Sequence, residues 1–299
     1  MSGWLVTGAA GMLGRDLTAL LAERGEQVTG LGRGDLDITD AEAVAATLEQ
    51  YKPSVVVNCG AWTAVDDAET REDDALRLNG DGPANLAAAC ARLGAVLVQP
   101  STDYVFDGQA ARPYREDDQT GPRSAYGRTK LAGERAVLEA LPGSGYVVRT
   151  AWLYGEHGPS FVRTMLRLAR SGKPVTVVDD QTGQPTWTAD LAAQVVALVT
   201  AGAPAGVYHA TSSGQTTWYG LAQEVFDLYA ASTGDGAGRD LVRPTTSAAY
   251  ASAATRQTAP RPAYGVLGHD AWARAGIAPI GHWRDSLQRA YPAMEAATA

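Results

Sequence analysis

Trp4-Leu5-Val6-Thr7 runs directly into Gly8-Ala9-Ala10-Gly11-Met12-Leu13-Gly14, and this junction constrains the fold more than any other stretch of the 299 residues. A short apolar run that stops on a glycine reads as a buried parallel strand. The residues from Met12 to about Arg24 then form an amphipathic helix. Glycines at such a turn let the backbone bend tightly and approach a pyrophosphate. The helix start adds unpaired N–H groups and a partial positive charge. A glycine motif alone is weak, but its place between the first strand and the first helix gives it meaning. The expected ligand is a dinucleotide, held around Gly8, Gly11, Met12, Leu13 and Gly14.

The same strand–helix alternation continues. Residues 27–31 read as a second strand, 40–51 as a helix, 54–58 as a third strand, 84–92 as a helix and 95–100 as a fourth strand. The fold class is therefore α/β, a doubly wound parallel sheet of the Rossmann kind, with a smaller interleaved substrate-binding region. Residues 1–150 are expected to form the dinucleotide-binding domain and 151–299 most of the substrate side. Beyond 150, strands are expected at 174–178 and 206–209 and helices at 160–171, 190–200 and 217–231. Residues 179–186 read as a polar loop, 233–240 as a surface loop, and everything from Leu241 onward as weakly periodic.

Strand ends place the ligand contacts. The second strand ends at Gly32-Arg33-Gly34-Asp35-Leu36-Asp37, where a dinucleotide fold meets the adenosine ribose. Arg33 favours a 2′-phosphate and hence NADPH; Asp35 keeps NADH open as a second cofactor, and Asp37 and Ile38 flank the adenine. Cys59, Gly60 and Ala61 leave the third strand as small residues where a cofactor crosses. The fourth strand delivers Thr102, a second hydroxyl for a substrate carbonyl.

Tyr126 and Lys130 lie four apart on one helix face, and Lys130 is one of three lysines in the chain. A nearby ammonium stabilises a phenolate, so Lys130 is expected to lower the Tyr126 pKa toward the working range. Lys130 could also hold a cofactor ribose.

A net charge of −8 and a pI near 5.0 argue against a broad nucleic-acid surface. The two cysteines, Cys59 and Cys90, have no metal-ligand spacing and read as buried free thiols in a reducing compartment. With no apolar run long enough for a bilayer and no leader pattern, the chain is expected to be cytoplasmic and away from membranes.

Gly8-x-x-Gly11-x-x-Gly14 followed by Tyr126-x-x-x-Lys130 resembles the extended short-chain dehydrogenases/reductases. More narrowly, the chain resembles the dTDP-4-dehydrorhamnose reductases. The resemblance is carried by Asn58 with Thr63-Ala64-Val65-Asp66, by Ser101 to Phe106, and by Tyr126 to Glu134. Arg149 to Tyr154, the Asp180-Gln181-x-Gly183-x-Pro185-Thr186 string and Tyr208-His209 add to it. It implies an enzyme that reduces the 4-keto group of a dTDP-4-keto-6-deoxysugar with NADPH or NADH. Tyr126 would protonate the forming alkoxide, Lys130 would tune Tyr126 and hold the nicotinamide ribose, and Thr102 would hydrogen-bond near the reacting oxygen. Val65, Asp103, Trp152 and Arg261 would line the substrate pocket, although Val65 and Trp152 also read as core and Asp103 as a cap. The chain departs from the pattern at Arg261-Pro262-Ala263-Tyr264-Gly265, where small polar residues are expected after the Arg-Pro pair. The preceding residues 251–259 look lengthened, which makes Arg256 a competing substrate contact. Some relatives dimerise through magnesium; only Asp16 has a counterpart here, so the expectation is no metal and a monomer or homodimer. Dihydrostreptose-type reduction of another dTDP-ketosugar stays open. So does a non-catalytic regulatory subunit like that of methionine adenosyltransferase. An epimerase or dehydratase of the same superfamily also stays open; the dehydratase fits less well, because Tyr104 follows Asp103 where a second acidic group is wanted.

Overall fold

The computed structural model describes residues 3–234, 238–253 and 258–298. The first half reads β1 (Trp4–Thr7), α1 (Met12–Glu23), β2 (Val28–Leu31), α2 (Ala41–Tyr51) and β3 (Val55–Asn58). Two short helices, α3 (Val65–Ala68) and α4 (Glu72–Leu76), then pass through a π-helical turn, Arg77–Asp81, into α5 (Gly82–Leu93). β4 (Val96–Thr102), α6 (Ala125–Ala140) and β5 (Gly145–Thr150) complete this half. The second half contains β6 (Leu153–Tyr154), α7 (Phe161–Arg170), β7 (Val175–Val178), β8 (Thr182–Gly183), β9 (Thr186–Trp187) and α8 (Thr188–Thr200). It continues with β10 (Gly206–His209), β11 (Thr216–Thr217), α9 (Trp218–Thr233), β12 (Val242–Thr245), α10 (Ser247–Ala253), α11 (Asp270–Arg274) and α12 (Trp283–Thr298).

Six parallel strands form the main sheet in the order β10-β5-β4-β3-β1-β2. Both faces are covered, so the central strands are largely apolar rather than alternating, with a few buried polar residues such as Gln99 and Arg149. Trp4, Val6, Val55 and Val57 face α1 and α8, through Leu13, Leu17, Leu21, Leu191 and Val195. Leu5, Val56 and Leu97 point the other way, toward Val44, Leu48, Leu86 and Val137. The chain runs outward from β1 to β2 and then returns to β3 on the other side of β1. Between β1 and β3 the connections leave in opposite directions, which opens a crevice at the strand ends.

A second core gathers α7, α9 and α12 around β7 and β12. The chain also returns to the first core after residue 150: α8 and Trp272 of α11 pack there, and β10 is the sheet's edge strand. Two stretches differ from the sequence reading. The polar loop at 179–186 carries the short strands β8 and β9, each paired to a distant strand. The weakly periodic tail forms β12, α10, α11 and α12. Its period is blurred because α12 buries a narrow stripe, Leu287, Ala290, Tyr291 and Met294, and contains Pro292.

α6 is fastened to the sheet by a buried ion pair. Arg149 of β5 donates from Nε to Glu134 Oε1 at 2.9 Å and from Nη2 to Oε2 at 2.7 Å. The two side chains are 5% and 2% exposed, so neither charge has water as an alternative partner. Removing one partner of such a pair leaves an uncompensated buried charge. Arg149→Met should therefore lower the unfolding free energy by about 3–5 kcal/mol. A denaturant midpoint close to that of the unaltered protein would count against this.

Candidate active site

The glycine turn meets the crevice first. Gly8 has φ +61°, and a Cβ there would lie 2.5 Å from the Cys59 carbonyl carbon and the Gly60 nitrogen. A Cβ on Gly14 would lie 2.4 Å from Gly8 O. These contacts draw β1, α1 and the β3 exit into one tight cradle. α1 begins with no side-chain cap and no acidic residue in its first turn. Its N–H groups thus face the crevice without a competing carboxylate, as an anionic pyrophosphate requires. Ala10 and Gly11 are exposed there, Met12 is half-buried, and Leu13 and Gly14 are packed beneath.

At the end of β2, Arg33 is exposed. Asp35 turns back to accept from Gly32 N at 2.8 Å, and Asp37 accepts from Thr39 N at 3.0 Å and from its hydroxyl at 2.8 Å. Those bonds, with Arg33 nearby, hold the Asp37 carboxyl below its usual range. Ile38 is buried under Gly60 and Gly82. Gly60 N donates to Asn58 Oδ1 at 3.2 Å, and Ala61 follows half-buried. Cys90 is buried as expected, but Cys59 is only half-buried because it lies at the open end of β3. Burial lifts both thiols to about 12.

One hydrogen-bond chain ties the cradle to α6. Thr7 Oγ1 donates to Asn58 Oδ1 (2.6 Å), and Asn58 Nδ2 to Gln99 Oε1 (2.8 Å). Gln99 Nε2 donates to Pro100 O (2.9 Å), the carbonyl that also accepts from Lys130 Nζ (2.8 Å). Sequence reading missed Thr7 and Gln99. Their signal was a polar residue inside otherwise apolar strands, where an unpaired buried amide would be costly.

β4 runs two residues further than expected, so Thr102 is its last residue. Thr102 Oγ1 donates to Asp103 Oδ1 at 3.0 Å and accepts from Tyr104 N at 3.2 Å, and it lies near enough to the Tyr126 phenol to influence its pKa. Tyr104 packs edge-on to Tyr126, ring centroids 5.6 Å apart. α6 starts where Ser124 Oγ accepts from Gly127 N and Glu69 Oε1 accepts from Ala125 N, at 3.1 and 2.8 Å. Asn79, in the π-helical turn, joins Trp62 to Thr129 and fixes the next turn of α6.

The electrostatics differ from the expectation in one respect. Burial raises the Tyr126 phenol above its ordinary range, Asp103 raises it further, and the Thr102 hydroxyl opposes both. Lys130 is not among the groups that set it, because its ammonium is directed to the Pro100 carbonyl. Burial lowers Lys130 itself to about 8, against the pull of Glu134. A phenol kept neutral beside a hydroxyl is a proton donor, not a base, at neutral pH.

The substrate-side candidates spread around a cleft of about 1400 Å³. Val65 and Arg261 line it, whereas Asp103 is buried at the end of β4, 3% exposed. Trp152 is half-buried, with φ +47°, a costly conformation for a bulky side chain. It is held there by stacking on Trp218, centroids 3.5 Å apart, and by contact with Gly183, where a Cβ would meet its ring at 2.5 Å. Trp218 Nε1 donates to Gln181 Oε1 at 3.1 Å and also lines the cleft. Arg256 lies outside the described residues. Asp16 lies 3.9 Å from His157, and burial raises its pKa. Among the described residues no group of three His, Cys, Asp or Glu is arranged to hold a metal ion, and no helix is long and apolar enough to cross a membrane.

A glycine cradle at the switch point of a parallel sheet, with Thr102, Tyr126 and Lys130 at the same edge, defines an NAD(P)H-dependent oxidoreductase of the short-chain dehydrogenase/reductase type. The RmlD substrate binding domain family model matches residues 2–296, and the chain belongs to that family. The chain is 57% identical over 295 residues to dTDP-4-dehydrorhamnose reductase of Streptomyces griseus, covering 97% of this chain and 93% of that protein. It is 53% identical to dTDP-4-keto-6-deoxy-D-glucose reductase of Streptomyces niveus, covering 98% of each. A crystal structure of dTDP-4-dehydrorhamnose reductase from Bacillus anthracis in complex with NADP superposes with a TM-score of 0.88 at 33% identity, covering 98% of each chain.

Burial raises Asp103 from 3.8 to about 7, ahead of the opposing Thr102 and backbone hydrogen bonds. The folded state thus binds a proton that the unfolded chain releases first. Stability from this group is full below about pH 4 and is lost as pH rises through about 7. Asp103→Asn should flatten the stability–pH curve across that window; an unchanged slope in urea titrations would contradict the assignment.

Proposed function

We propose that the protein reduces the 4-keto group of dTDP-4-dehydro-L-rhamnose to give dTDP-L-rhamnose, with NADPH as the preferred reductant. The broader reaction is reduction of a dTDP-4-keto-6-deoxyhexose to a dTDP-deoxysugar, and relatives above 50% identity carry names of this type. The observation that carries the reading is the convergence of Thr102, at the end of β4, with Tyr126 and Lys130 of α6 beside the glycine cradle, where burial keeps the phenol protonated. A nicotinamide held in the crevice would supply the hydride for the carbonyl carbon.

Tyr126 donates its proton to the oxygen as negative charge develops on it, and the Thr102 hydroxyl, turned from Asp103 Oδ1, donates a hydrogen bond to the same oxygen. These contacts strengthen only as the charge forms, which is where rate is gained. Lys130, anchored by the Pro100 carbonyl, would hold the nicotinamide ribose. Gly8, Gly11, Met12, Leu13 and Gly14 hold the pyrophosphate, and Cys59, Gly60 and Ala61 border the crossing. Asp37 and Ile38 flank the adenine. Arg33 meets the 2′-phosphate: both nearby carboxylates are occupied by their own turns, which supports NADPH over NADH. Asp103, Val65 and Trp152 shape the sugar pocket, and Arg261 meets the diphosphate.

A second reading keeps the chemistry and changes the sugar. The Streptomyces relatives include a reductase named for dTDP-4-keto-6-deoxy-D-glucose, and the segment around Arg261 departs from the family pattern.

The test is cofactor oxidation with dTDP-4-dehydro-L-rhamnose and with other dTDP-4-ketosugars, using NADPH and NADH in parallel. Tyr126→Phe should lose about 10²–10⁴-fold in kcat while cofactor affinity stays unchanged. Arg33→Ala should narrow the NADPH advantage. Turnover at the normal rate in Tyr126→Phe, or oxidation only with another sugar, would respectively remove the mechanism or the substrate assignment.

A further inference from the structure

Arg261 borders two cavities. One is the large cleft, shared with Val65 and Asp66; the other is a recess of about 110 Å³ lined by Tyr104, Asp107 and Arg123. The guanidinium is not left to swing between them. Asp66, the second residue of α3, accepts with Oδ1 from Arg261 Nη2 at 2.8 Å and from Ala259 N at 2.8 Å. A single carboxylate oxygen thus fastens both the side chain and the backbone two residues before it.

The far end of the same strap is gripped as well. Tyr264 N donates to Gly108 O at 3.0 Å, Gly265 N to Thr182 O at 2.8 Å, and Thr182 N to Ala263 O at 2.9 Å. Gly265 sits so close to Asp103 that a Cβ there would lie 2.6 Å from Asp103 Oδ2. The strap therefore runs from an anchor on α3 to a lid over the buried carboxyl beside Thr102, with Arg261 between the two. Without Asp66, the anchor at the α3 end is lost.

We propose that Asp66 is a positioning residue that holds Arg261 and the 259–265 strap ready for the diphosphate of the nucleotide-sugar substrate; this rests on the substrate reading given above. Two effects oppose each other. Asp66 orders a long side chain before binding, and it also competes with the substrate for the same cation. The pair is partly solvated, with side chains 44% and 30% exposed, so water weakens the competition. The ordering does not weaken in the same way, because Ala259 N holds Asp66 in place independently. The carboxylate engages only Nη2, and Nη1 donates weakly to Ala259 O at 3.5 Å; a guanidinium has five donors, so Nε–H and the remaining N–H groups are left for phosphate oxygens. Orientation therefore outweighs competition.

The experiment compares Asp66→Ala, Asp66→Asn, Arg261→Ala and the Asp66→Ala/Arg261→Ala double variant, each checked by thermal melting. Asp66→Ala should raise KM for the ketosugar, and Kd for dTDP by calorimetry, by about tenfold, with kcat within about twofold and NADPH affinity unchanged. Asp66→Asn, which keeps an acceptor for Ala259 N, should fall between Asp66→Ala and the unaltered protein. The double variant should match Arg261→Ala alone, since Asp66 acts through that arginine. An unchanged or lowered KM would overturn the proposal, making Asp66 a bystander or a competitor. Additive losses in the double variant would also overturn it. If the unaltered protein neither binds dTDP nor reduces any dTDP-ketosugar, the substrate reading fails and this proposal falls with it. If the unaltered protein binds and Asp66→Ala binds equally well, only the role of Asp66 fails.

Discussion

Glu134 and Arg149 meet inside the protein, and the placement of α6 depends on them. The bidentate pair fixes the rotation of the helix about its own axis, and that rotation decides which residues face the strand ends. Arg149 also lies over the Phe106 ring at 5.0 Å and contacts His209 Nε2 at 3.4 Å. The arginine therefore binds α6, β5, β10 and the loop after β4 into one unit. Burial, helped by the Arg149 charge, drives His209 down to about 3, so the imidazole stays neutral and adds no second cation beside the arginine. A buried pair of this kind repays little net stability against an apolar replacement. Its value here is orientation. Tyr126 and Lys130 precede Glu134 by eight and four residues, so all three lie along one side of the helix.

Close approach makes that orientation effective. A Cβ at Gly127 would lie 2.2 Å from Tyr104 O, and one at Gly133 would lie 2.2 Å from Asn79 O. α6 thus presses against the loop after β4 on one turn and against the π-helical turn on another. The extra residue of a π turn shifts the helix that carries it, and here it brings Asn79 to both Trp62 and Thr129. Lys130 is buried by the same packing, which is why its pKa falls to about 8 and why its ammonium needs the Pro100 carbonyl. The chain of amides and hydroxyls from Thr7 to Pro100 means that the glycine cradle and the Lys130 anchor share one set of hydrogen bonds. A shift of either is felt by the other.

Much of this was readable from the residues. The β1–glycine–α1 junction is local, and the apolar strands have one interpretation once both faces are known to be covered. Tyr126 and Lys130 are set by helical spacing alone. What could not be read depends on distance along the chain. Glu134 and Arg149 are fifteen residues apart on different elements, and each alone reads as an ordinary surface charge. Thr7, Asn58 and Gln99 are ordinary polar residues until the sheet order places β1, β3 and β4 side by side. The direction of the Tyr126 shift was misread because a helix pattern shows that two side chains share a face, but not which partner each one takes. Lys130 took a carbonyl. The tail beyond Leu241 was obscure because its helices are short or bury only narrow stripes.

The two halves of the site are built on different principles, and this bears on what each can vary. The residues proposed to hold the cofactor sit on strand ends and on the start of α1, where backbone geometry and glycine clearances leave little room for change. The residues proposed to meet the substrate come from loops and short elements: Trp152 in a strained conformation and the strap carrying Arg261. Trp152 keeps φ +47° only because Trp218 stacks on it and Gly183 leaves space for its ring. Gln181 in turn links Trp218 to Ser247 at the start of α10, so the aromatic wall is coupled to the helix bordering the cleft. A change anywhere in this series moves the wall without touching the sheet. Reduction can therefore be kept while the sugar is exchanged, and relatives above 50% identity carry names for different ketosugars.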